Sequence, residues 1–238
     1  MRTLLYSLFF VGLVRTAALG APAMAPEAIV ENYCSVTRSH QHSLDGASME
    51  VEIDASLPKL KKQGRLQALR RISSLGRITY ELLKFEGDGA VKNDVIARYL
   101  TAETQAQSES RLKLDVTPEN YKFKYKGLVS NDGREAHVFQ VTPRKKRVGL
   151  YRGELWIDAE TYLRVRESGS LVKNPSIFLK KVEFVRTFEI RDGISVPREV
   201  HSVVDTRLIG KAELNIAFRN VSLGENNTRA ALVDVDGQ

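Results

Sequence analysis

The sequence YKFKYKG occupies residues 121–127 and decides the fold class of the chain. In it, Tyr121, Phe123 and Tyr125 alternate with lysines. Side chains along a β-strand alternate between its two faces, whereas a helix does not separate residues in this way. The stretch therefore predicts a strand with one aromatic face and one cationic face.

The same alternation recurs along most of the chain. Early strands are expected at 47–55, 66–72 and 77–85, and later strands at 121–128, 135–143, 147–158, 161–172, 176–191, 194–207 and 210–222. Turn residues separate consecutive strands, and the connections are too short for crossover helices, which predicts antiparallel pairing. Several strands are longer than the usual ~5–6 residues. The pattern therefore predicts one strongly twisted, curling sheet.

One face of this sheet is expected to be apolar and the other polar. The apolar positions of the two strands 176–191 and 210–222 are Phe178, Val182, Phe184, Phe188 and Ile190, and Ala212, Leu214, Ile216 and Phe218. In the third strand, Ile78, Tyr80 and Leu82 are the expected inner residues. The aromatic residues of YKFKYKG belong to the same apolar face.

Two helices are expected beside the sheet. One spans 26–38, and the second spans 91–107, where Val91, Val95 and Tyr99 recur at helical spacing. Two helices cannot cover a flat sheet of about ten strands, but they can fill a sheet curled into an unclosed half-barrel with an apolar concavity. Periodicity leaves an alternative open, a closed β-sandwich without a cavity.

The first residues have the layout of a secretory signal peptide. Arg2 precedes an apolar run from Leu4 to Val14, which is shorter than the roughly 20 residues that span a bilayer. We expect residues 1–20 to be removed near Gly20, which makes the product an exported protein. The remaining chain is expected to form a half-barrel domain at 21–224 with a polar C-terminal tail at 225–238.

Charge and cysteine content limit the possible partners. Removing Arg2 and Arg15 from the 36 basic residues leaves 34 against 29 acidic residues, a net charge of about +5. This balance favours anionic surfaces, and nucleic acid is not an expected partner of an exported protein. Cys34 is the single cysteine, so no internal disulfide can form, and the residue is expected to pack as a small side chain.

The sequence contains no recognisable catalytic or metal-binding motif. His40 and His42 lie in SHQHS without a nearby pair of carboxylates, which makes a poor metal site. Neither a G-x-S-x-G elbow nor a phosphate-binding loop is present. We expect a protein that is not an enzyme and that uses no metal or other cofactor.

Residues 153–216 carry a resemblance to a known family. They contain G-x-L-W-I-D at 153–158, L-x-x-R at 163–166, a long strand, D-G-x-x-V-P at 192–197 and G-x-x-x-L-x-I at 210–216. This order resembles the C-terminal half of the periplasmic LolA/LolB-like superfamily of outer-membrane lipoprotein-sorting proteins. The resemblance implies an unclosed half-barrel with helices over an apolar cavity. Arg70, Arg71 and Arg77, on early strands, are candidates for the family's lid-latching arginine.

The resemblance also implies a function. The chain is expected to be a soluble periplasmic carrier or chaperone that binds lipid or the acyl chains of lipoproteins. The candidate cavity residues are Tyr99, Tyr121, Phe123, Tyr125, Leu155, Ile157, Phe184, Phe188, Ile216 and Phe218. The alternative is a periplasmic regulatory or scaffold protein that uses the same fold to contact a membrane protein partner.

A basic run is the candidate surface for membrane or partner contact. Arg144, Lys145, Lys146 and Arg147 lie at a predicted hairpin turn. Such a run is either a solvated loop or a contact with anionic membrane headgroups, and the lysines of YKFKYKG extend it. Trp156 lies on the polar face, and we expect it to pack on a neighbouring aliphatic stem rather than to anchor a membrane.

Overall fold

The computed structural model describes residues 24–106, 114–131, 133–175, 178–207 and 210–224. The predicted signal peptide at 1–20, the last residue of the predicted helix 91–107 and the predicted tail at 225–238 lie outside the described residues.

The described chain consists of two α-helical regions, a 3₁₀ turn at Pro58–Leu60 and ten strands. Helix α1 is Pro26–Ser39, and a split helix at 89–106 consists of α2 (Gly89–Val91), a π-helical turn (Lys92–Ile96) and α3 (Ala97–Ala106). The strands are β1 (Ser48–Leu57), β2 (Lys62–Ile72), β3 (Ile78–Gly87), β4 (Tyr121–Asn131), β5 (Arg134–Pro143), β6 (Tyr151–Asp158), β7 (Arg164–Leu171), β8 (Leu179–Arg191), β9 (Ile194–Thr206) and β10 (Lys211–Ser222).

All ten strands form one antiparallel sheet. Their order is β3-β2-β1-β10-β9-β8-β7-β6-β5-β4, so the first and last strands of the chain lie side by side, with Ile53 opposite Ile216. The two edge strands, β3 and β4, do not pair with each other. The sheet is therefore an unclosed half-barrel, which confirms the predicted fold class and excludes the closed sandwich.

Both helical regions pack on the same face of the sheet, which we call the inner face. The first cluster lies under the split helix, where Val91, Val95 and Ile96 contact apolar residues of β1, β2 and β10. The second cluster lies under α1, where Ile29 and Tyr33 contact apolar residues of β4, β5, β6 and β8. Each helix thus covers one half of the inner face.

The helices begin where the sequence provides suitable residues. Pro26 occupies the first turn of α1, where its missing N–H is not needed. Asp88 precedes the split helix, and its carboxylate accepts a hydrogen bond from the backbone N–H of Ala90 at 2.8 Å. This hydrogen bond holds the pKa of Asp88 below its ordinary value. It also fixes the start of the split helix at the end of β3.

Two details of the strands differ from the sequence prediction. Leu82 is not an inner residue, because β3 contains a bulge in which Leu69 lies opposite Glu81 and Gln67 lies opposite Lys84. At this bulge Leu82 adopts a left-handed backbone, φ +53°, and its side chain is 80% exposed. Phe178 lies before the first residue of β8 and is exposed, so it does not belong to the apolar face.

Candidate functional site

A cavity of about 1100 Å³ lies between α1 and the inner face of the sheet. Its apolar lining includes Val30, Leu44, Tyr121, Phe123, Tyr125 and Phe139. The volume is slightly above the roughly 300–1,000 Å³ that is typical of small-molecule sites. The cavity also borders the segment at 115–119, which directly precedes β4.

The aromatic face of YKFKYKG forms one wall of this cavity. The ring of Phe139 on β5 lies 6.0 Å from that of Phe123 and 5.1 Å from that of Tyr125. Tyr121 is fully buried, its hydroxyl accepts a hydrogen bond from the Tyr151 backbone N–H at 3.2 Å, and burial raises its pKa to about 12. Phe123 and Tyr125 are half-buried, so their rings are the part of the wall that a ligand can reach.

Two arginines also line the cavity from the inner face. Arg70 is only 8% exposed, and its Nη2 donates a hydrogen bond to Oε1 of Glu103 on α3 at 3.0 Å. The other oxygen of Glu103 accepts a hydrogen bond from the Tyr80 hydroxyl. Burial, followed by the charge of Glu103, raises the pKa of Tyr80. Among the three candidate latch arginines, Arg70 is the one that joins the split helix to the sheet.

The second arginine, Arg164, belongs to a charge cluster around the buried carboxylate of Glu167. Glu167 on β7 is 3% exposed, and its two oxygens lie 3.4 Å from Arg164 and 3.5 Å from Arg186. The guanidinium carbons of these arginines lie 4.6 Å from the ring centre of Phe188 and 4.4 Å from that of Phe184, respectively. The middle of the inner face is thus charged, whereas the sequence predicted a continuous apolar surface.

Two tyrosines enclose this cluster. Tyr33 on α1 and Tyr151 on β6 are both buried, and desolvation of their hydroxyls raises both pKa values. The negative charge of Glu167 also raises the pKa of both tyrosines. Both tyrosines therefore remain neutral at physiological pH beside the Glu167 carboxylate.

The ten predicted cavity residues fall into three groups. Tyr121, Phe123 and Tyr125 line the cavity. Leu155, Ile157 and Phe184 are buried within the second cluster, and Ile216 is buried within the first cluster. Tyr99 and Phe218 pack against the first cluster, and the half-buried Phe188 lies under the guanidinium group of Arg164. The structure thus brings three of the ten to the cavity.

The predicted basic run is exposed. Arg144, Lys145, Lys146 and Arg147 follow β5 without entering the sheet. Arg144 also borders the cavity, and its Nε donates a hydrogen bond to the Pro118 carbonyl at 2.7 Å. This contact places the basic run beside the segment at 115–119, which also lines the cavity.

The remaining candidates have ordinary contacts. Trp156 packs under the guanidinium of Arg166, 5.1 Å from the ring centre, and its indole N–H donates to Glu154. His42 Nδ1 lies 2.7 Å from Asp45. Within the described ranges, no group of three or more His, Cys, Asp or Glu side chains could hold a metal ion. Cys34 is half-buried, and burial raises the pKa of its thiol.

No helix in the described part of the chain has both the length and the apolar character that crossing a membrane requires. The unclosed sheet with two helical regions on its inner face is the architecture that the resemblance to the LolA/LolB-like superfamily implied, so that prediction is confirmed for the fold.

Comparisons with known proteins add structural neighbours. No family model and no curated protein matches the chain. A DUF1329 family protein from Desulfovibrio piger is similar with a TM-score of 0.43 and 13% identity, over 82% of this chain and 92% of that protein. A LolA superfamily protein from Nitrosomonas europaea has a TM-score of 0.36 and 12% identity, over 85% of this chain and 95% of that protein. A putative outer membrane lipoprotein-sorting protein domain from Vibrio parahaemolyticus also has a TM-score of 0.36 and 12% identity, over 85% of this chain and 99% of that domain.

Proposed function

We propose that this protein is a periplasmic carrier or chaperone that binds a lipid, or the acyl chains of a lipoprotein, in the cavity beneath α1. The chain would reach the periplasm through cleavage of its first residues near Gly20. The observation that carries the proposal is the cavity of about 1100 Å³ with an aromatic wall. No catalytic step is part of the proposed function.

The energetics of such binding need no reactive group. Transfer of an acyl chain from water into an apolar site contributes about 0.8 kcal/mol per buried methylene. Phe123 and Tyr125 offer aromatic surface that is already ordered by contact with Phe139. A preformed wall lowers the part of the entropy cost of binding that comes from ordering the protein.

The direct test is native mass spectrometry of the protein after gentle purification from the periplasm. A co-purified mass of lipid size that disappears on solvent extraction supports the proposal. The extracted protein should also take up added fatty acid. A protein that carries no such mass and refuses fatty acid contradicts the proposal.

A matched pair of variants on β4 assigns the uptake to the cavity. Phe123→Asp places a carboxylate in the aromatic wall and should reduce fatty acid uptake at least tenfold. Leu128→Asp is the control, because Leu128 is exposed on the same strand and does not line the cavity. Phe184→Asp is a less useful test, since Phe184 is buried in the second cluster and its loss should harm folding. Equal uptake by the two β4 variants would contradict the assignment.

A second candidate function is that of a regulatory or scaffold protein that contacts a membrane protein partner. The observation that favours it is the open edge of β3, where Leu82 and Leu83 are exposed, together with the exposed Leu75 in the turn before this strand. An edge strand with exposed apolar residues can accept a strand from another chain. Protein purified free of lipid should then still bind a membrane protein, and the Leu83→Lys variant should lose this binding. Retention of the same partner by Leu83→Lys contradicts docking at this edge.

A further inference from the structure

Six cations lie together along one edge of the sheet and the adjoining loop. They are Lys122, Lys124 and Lys126 on β4 and Lys145, Lys146 and Arg147 after β5, and we call them the basic edge. The two segments are adjacent because Tyr121 at the start of β4 pairs with Pro143 at the end of β5. All six side chains are exposed.

The basic edge is not neutralised by the protein. None of its six side chains forms an ion pair with an acidic side chain in the described ranges, although many surface cations elsewhere do. The residues opposite Lys122 and Lys124 in the sheet are Thr142 and Gln140, which carry no charge. Uncompensated cations at this density attract an extended anionic surface.

The same strand connects the basic edge to the cavity. Phe123 of β4 faces the cavity, and its neighbours Lys122 and Lys124 point to the opposite side of the strand. In the loop after β5, Arg144 borders the cavity and the next three residues belong to the basic edge. Any surface that binds the basic edge therefore lies within a few residues of the cavity lining.

The loop also offers an apolar group. Val148 follows Arg147 directly, and its side chain is 43% exposed. A loop of cations with an exposed aliphatic residue suits an interface at which charged headgroups cover hydrocarbon. Exposed acids also border the cavity, Glu27 and Glu31 on α1 and Glu119 in the segment before β4, and an anionic surface repels them. The attraction to such a surface is therefore assigned to the basic edge and not to the rim of the cavity.

We propose that the basic edge binds an anionic lipid membrane and so holds the cavity close to the bilayer. Loading or unloading of lipid at the membrane rests on the proposed function, but membrane binding itself does not. Attraction between headgroup phosphates and the six cations provides the binding. The recognised chemistry is the phosphate-rich surface of the bilayer, not a single free anion.

Vesicle co-sedimentation tests this proposal with the exported protein. We expect binding to vesicles that contain phosphatidylglycerol, little binding to pure phosphatidylcholine, and at least a tenfold loss of binding when salt rises from ~0.1 M to ~0.5 M. The test variant changes the six cations of the basic edge to glutamine and should bind at least tenfold more weakly. The charge-matched control changes six other exposed cations, Arg77, Lys173, Lys180, Arg198, Lys211 and Arg219, to glutamine and should bind as the wild type does.

Several results would overturn the proposal. Binding that is independent of salt or equal on neutral vesicles would show apolar insertion instead of electrostatic docking. An equal loss in the control variant would show an effect of net charge and not of this surface. Binding to an acidic protein without any binding to vesicles would assign the basic edge to a protein partner.

A second measurement separates this proposal from the cavity proposal. Uptake of fatty acid from solution should be unchanged in the variant of the basic edge, since none of its six residues lines the cavity. Transfer of lipid from phosphatidylglycerol vesicles should instead fall at least tenfold. If the protein binds anionic vesicles but takes up no lipid from any source, the proposed membrane binding by the basic edge is supported and the proposed carrier function is refuted.

Discussion

Arg70 on β2 and Glu103 on α3 form an ion pair, with Arg70 Nη2 3.0 Å from Glu103 Oε1, across the inner face of the half-barrel. The arginine is buried and the glutamate is partly buried, so water screens this pair weakly. Arg70 also borders the cavity, so the pair links the helix that covers the first cluster to the wall of the binding site.

The first prediction concerns the stability of this link. Arg70→Met should lower the free energy of unfolding by about 2–3 kcal/mol, because Glu103 then faces the sheet without its cation. Urea denaturation measures the change. Hydrogen exchange should also become faster in α3, since the side chain that holds this helix to β2 is gone.

The double variant Arg70→Met, Glu103→Met is the control for the first prediction. It removes both charges and leaves apolar side chains of similar length, so it should recover at least half of the lost stability. Losses that simply add in the double variant would show that the two residues do not act as a pair.

The second prediction concerns Glu167, which neutralises two arginines. Glu167→Gln should lower the free energy of unfolding by about 2 kcal/mol, because it removes the buried anion that Arg164 and Arg186 share, while solvent partly screens these half-exposed arginines. Arg186→Met should cost only about 1 kcal/mol, since Arg164 still pairs with Glu167 and the Arg186 side chain is 45% exposed. Urea denaturation of both variants measures this difference. Equal losses of stability in the two variants would show that the burial of Glu167 does not determine the stability of this cluster.

The third prediction concerns a close contact between two glycines of the inner face. Gly153 on β6 lies opposite Gly169 on β7, and a Cβ atom on Gly153 would lie 1.8 Å from the Ser168 carbonyl oxygen. Gly153→Ala should therefore lower the free energy of unfolding by about 3 kcal/mol, because backbone atoms cannot move aside as a flexible side chain can. Thermal and urea unfolding both measure this.

Gly89→Ala is the control for the glycine prediction. Gly89 begins α2, and a Cβ atom there would meet nothing within 4 Å. This change should be neutral or should stabilise the protein by up to about 1 kcal/mol. A similar loss in both variants would show a general dependence on glycine and not a specific contact between β6 and β7.

The fold was predictable because its main signal is local. The alternation in YKFKYKG and in 210–222 can be recognised within a few consecutive residues, and short turns then require antiparallel neighbours. The bulge at Leu82 was not predictable, since it depends on how β3 pairs with β2. Glycine is the residue that favours such a backbone, and a leucine gives no sign of it.

The charged groups of the inner face are visible in the sequence as cations at apolar positions of strands. Arg186 lies on the same face of β8 as Val182, Phe184 and Phe188. Arg70 lies on the same face of β2 as Leu66 and Ile72. A cation at an apolar position of a strand predicts a buried partner, because an unpaired charge there is costly. The identity of the partner was not predictable, since Glu103 lies on another element.

Burial was also harder to assign than orientation. Leu155 and Phe123 both lie on the inner face, as predicted, but α1 covers Leu155 and leaves Phe123 beside the cavity. Periodicity states which face a residue occupies and contains no information on where a helix crosses that face. The cavity lining is therefore smaller than the set of inner residues.

The last prediction concerns His137, which lies beside the aromatic wall. Its Nδ1 is 3.1 Å from the Tyr125 hydroxyl, and burial holds its pKa below the ordinary value, although the charge of Glu135 opposes this shift. The folded protein then binds this proton more weakly than the unfolded chain does. The contribution of His137 to the free energy of unfolding is therefore fully present above the unfolded pKa of about 6.5. This contribution is lost as the pH falls towards the lower pKa of the folded protein.

Nuclear magnetic resonance titration of the histidine ring protons measures this shift directly. Urea denaturation near pH 7.5 and pH 5.5 should show less stability at the lower value, and His137→Gln should remove this part of the pH dependence. A bound acyl chain that contacts Tyr125 should bury His137 further and lower its pKa again, because desolvation disfavours the charged imidazolium. A ring that titrates above about 6.5 would refute the stability prediction. A pKa that fatty acid leaves unchanged would mean that the ligand does not contact this part of the wall.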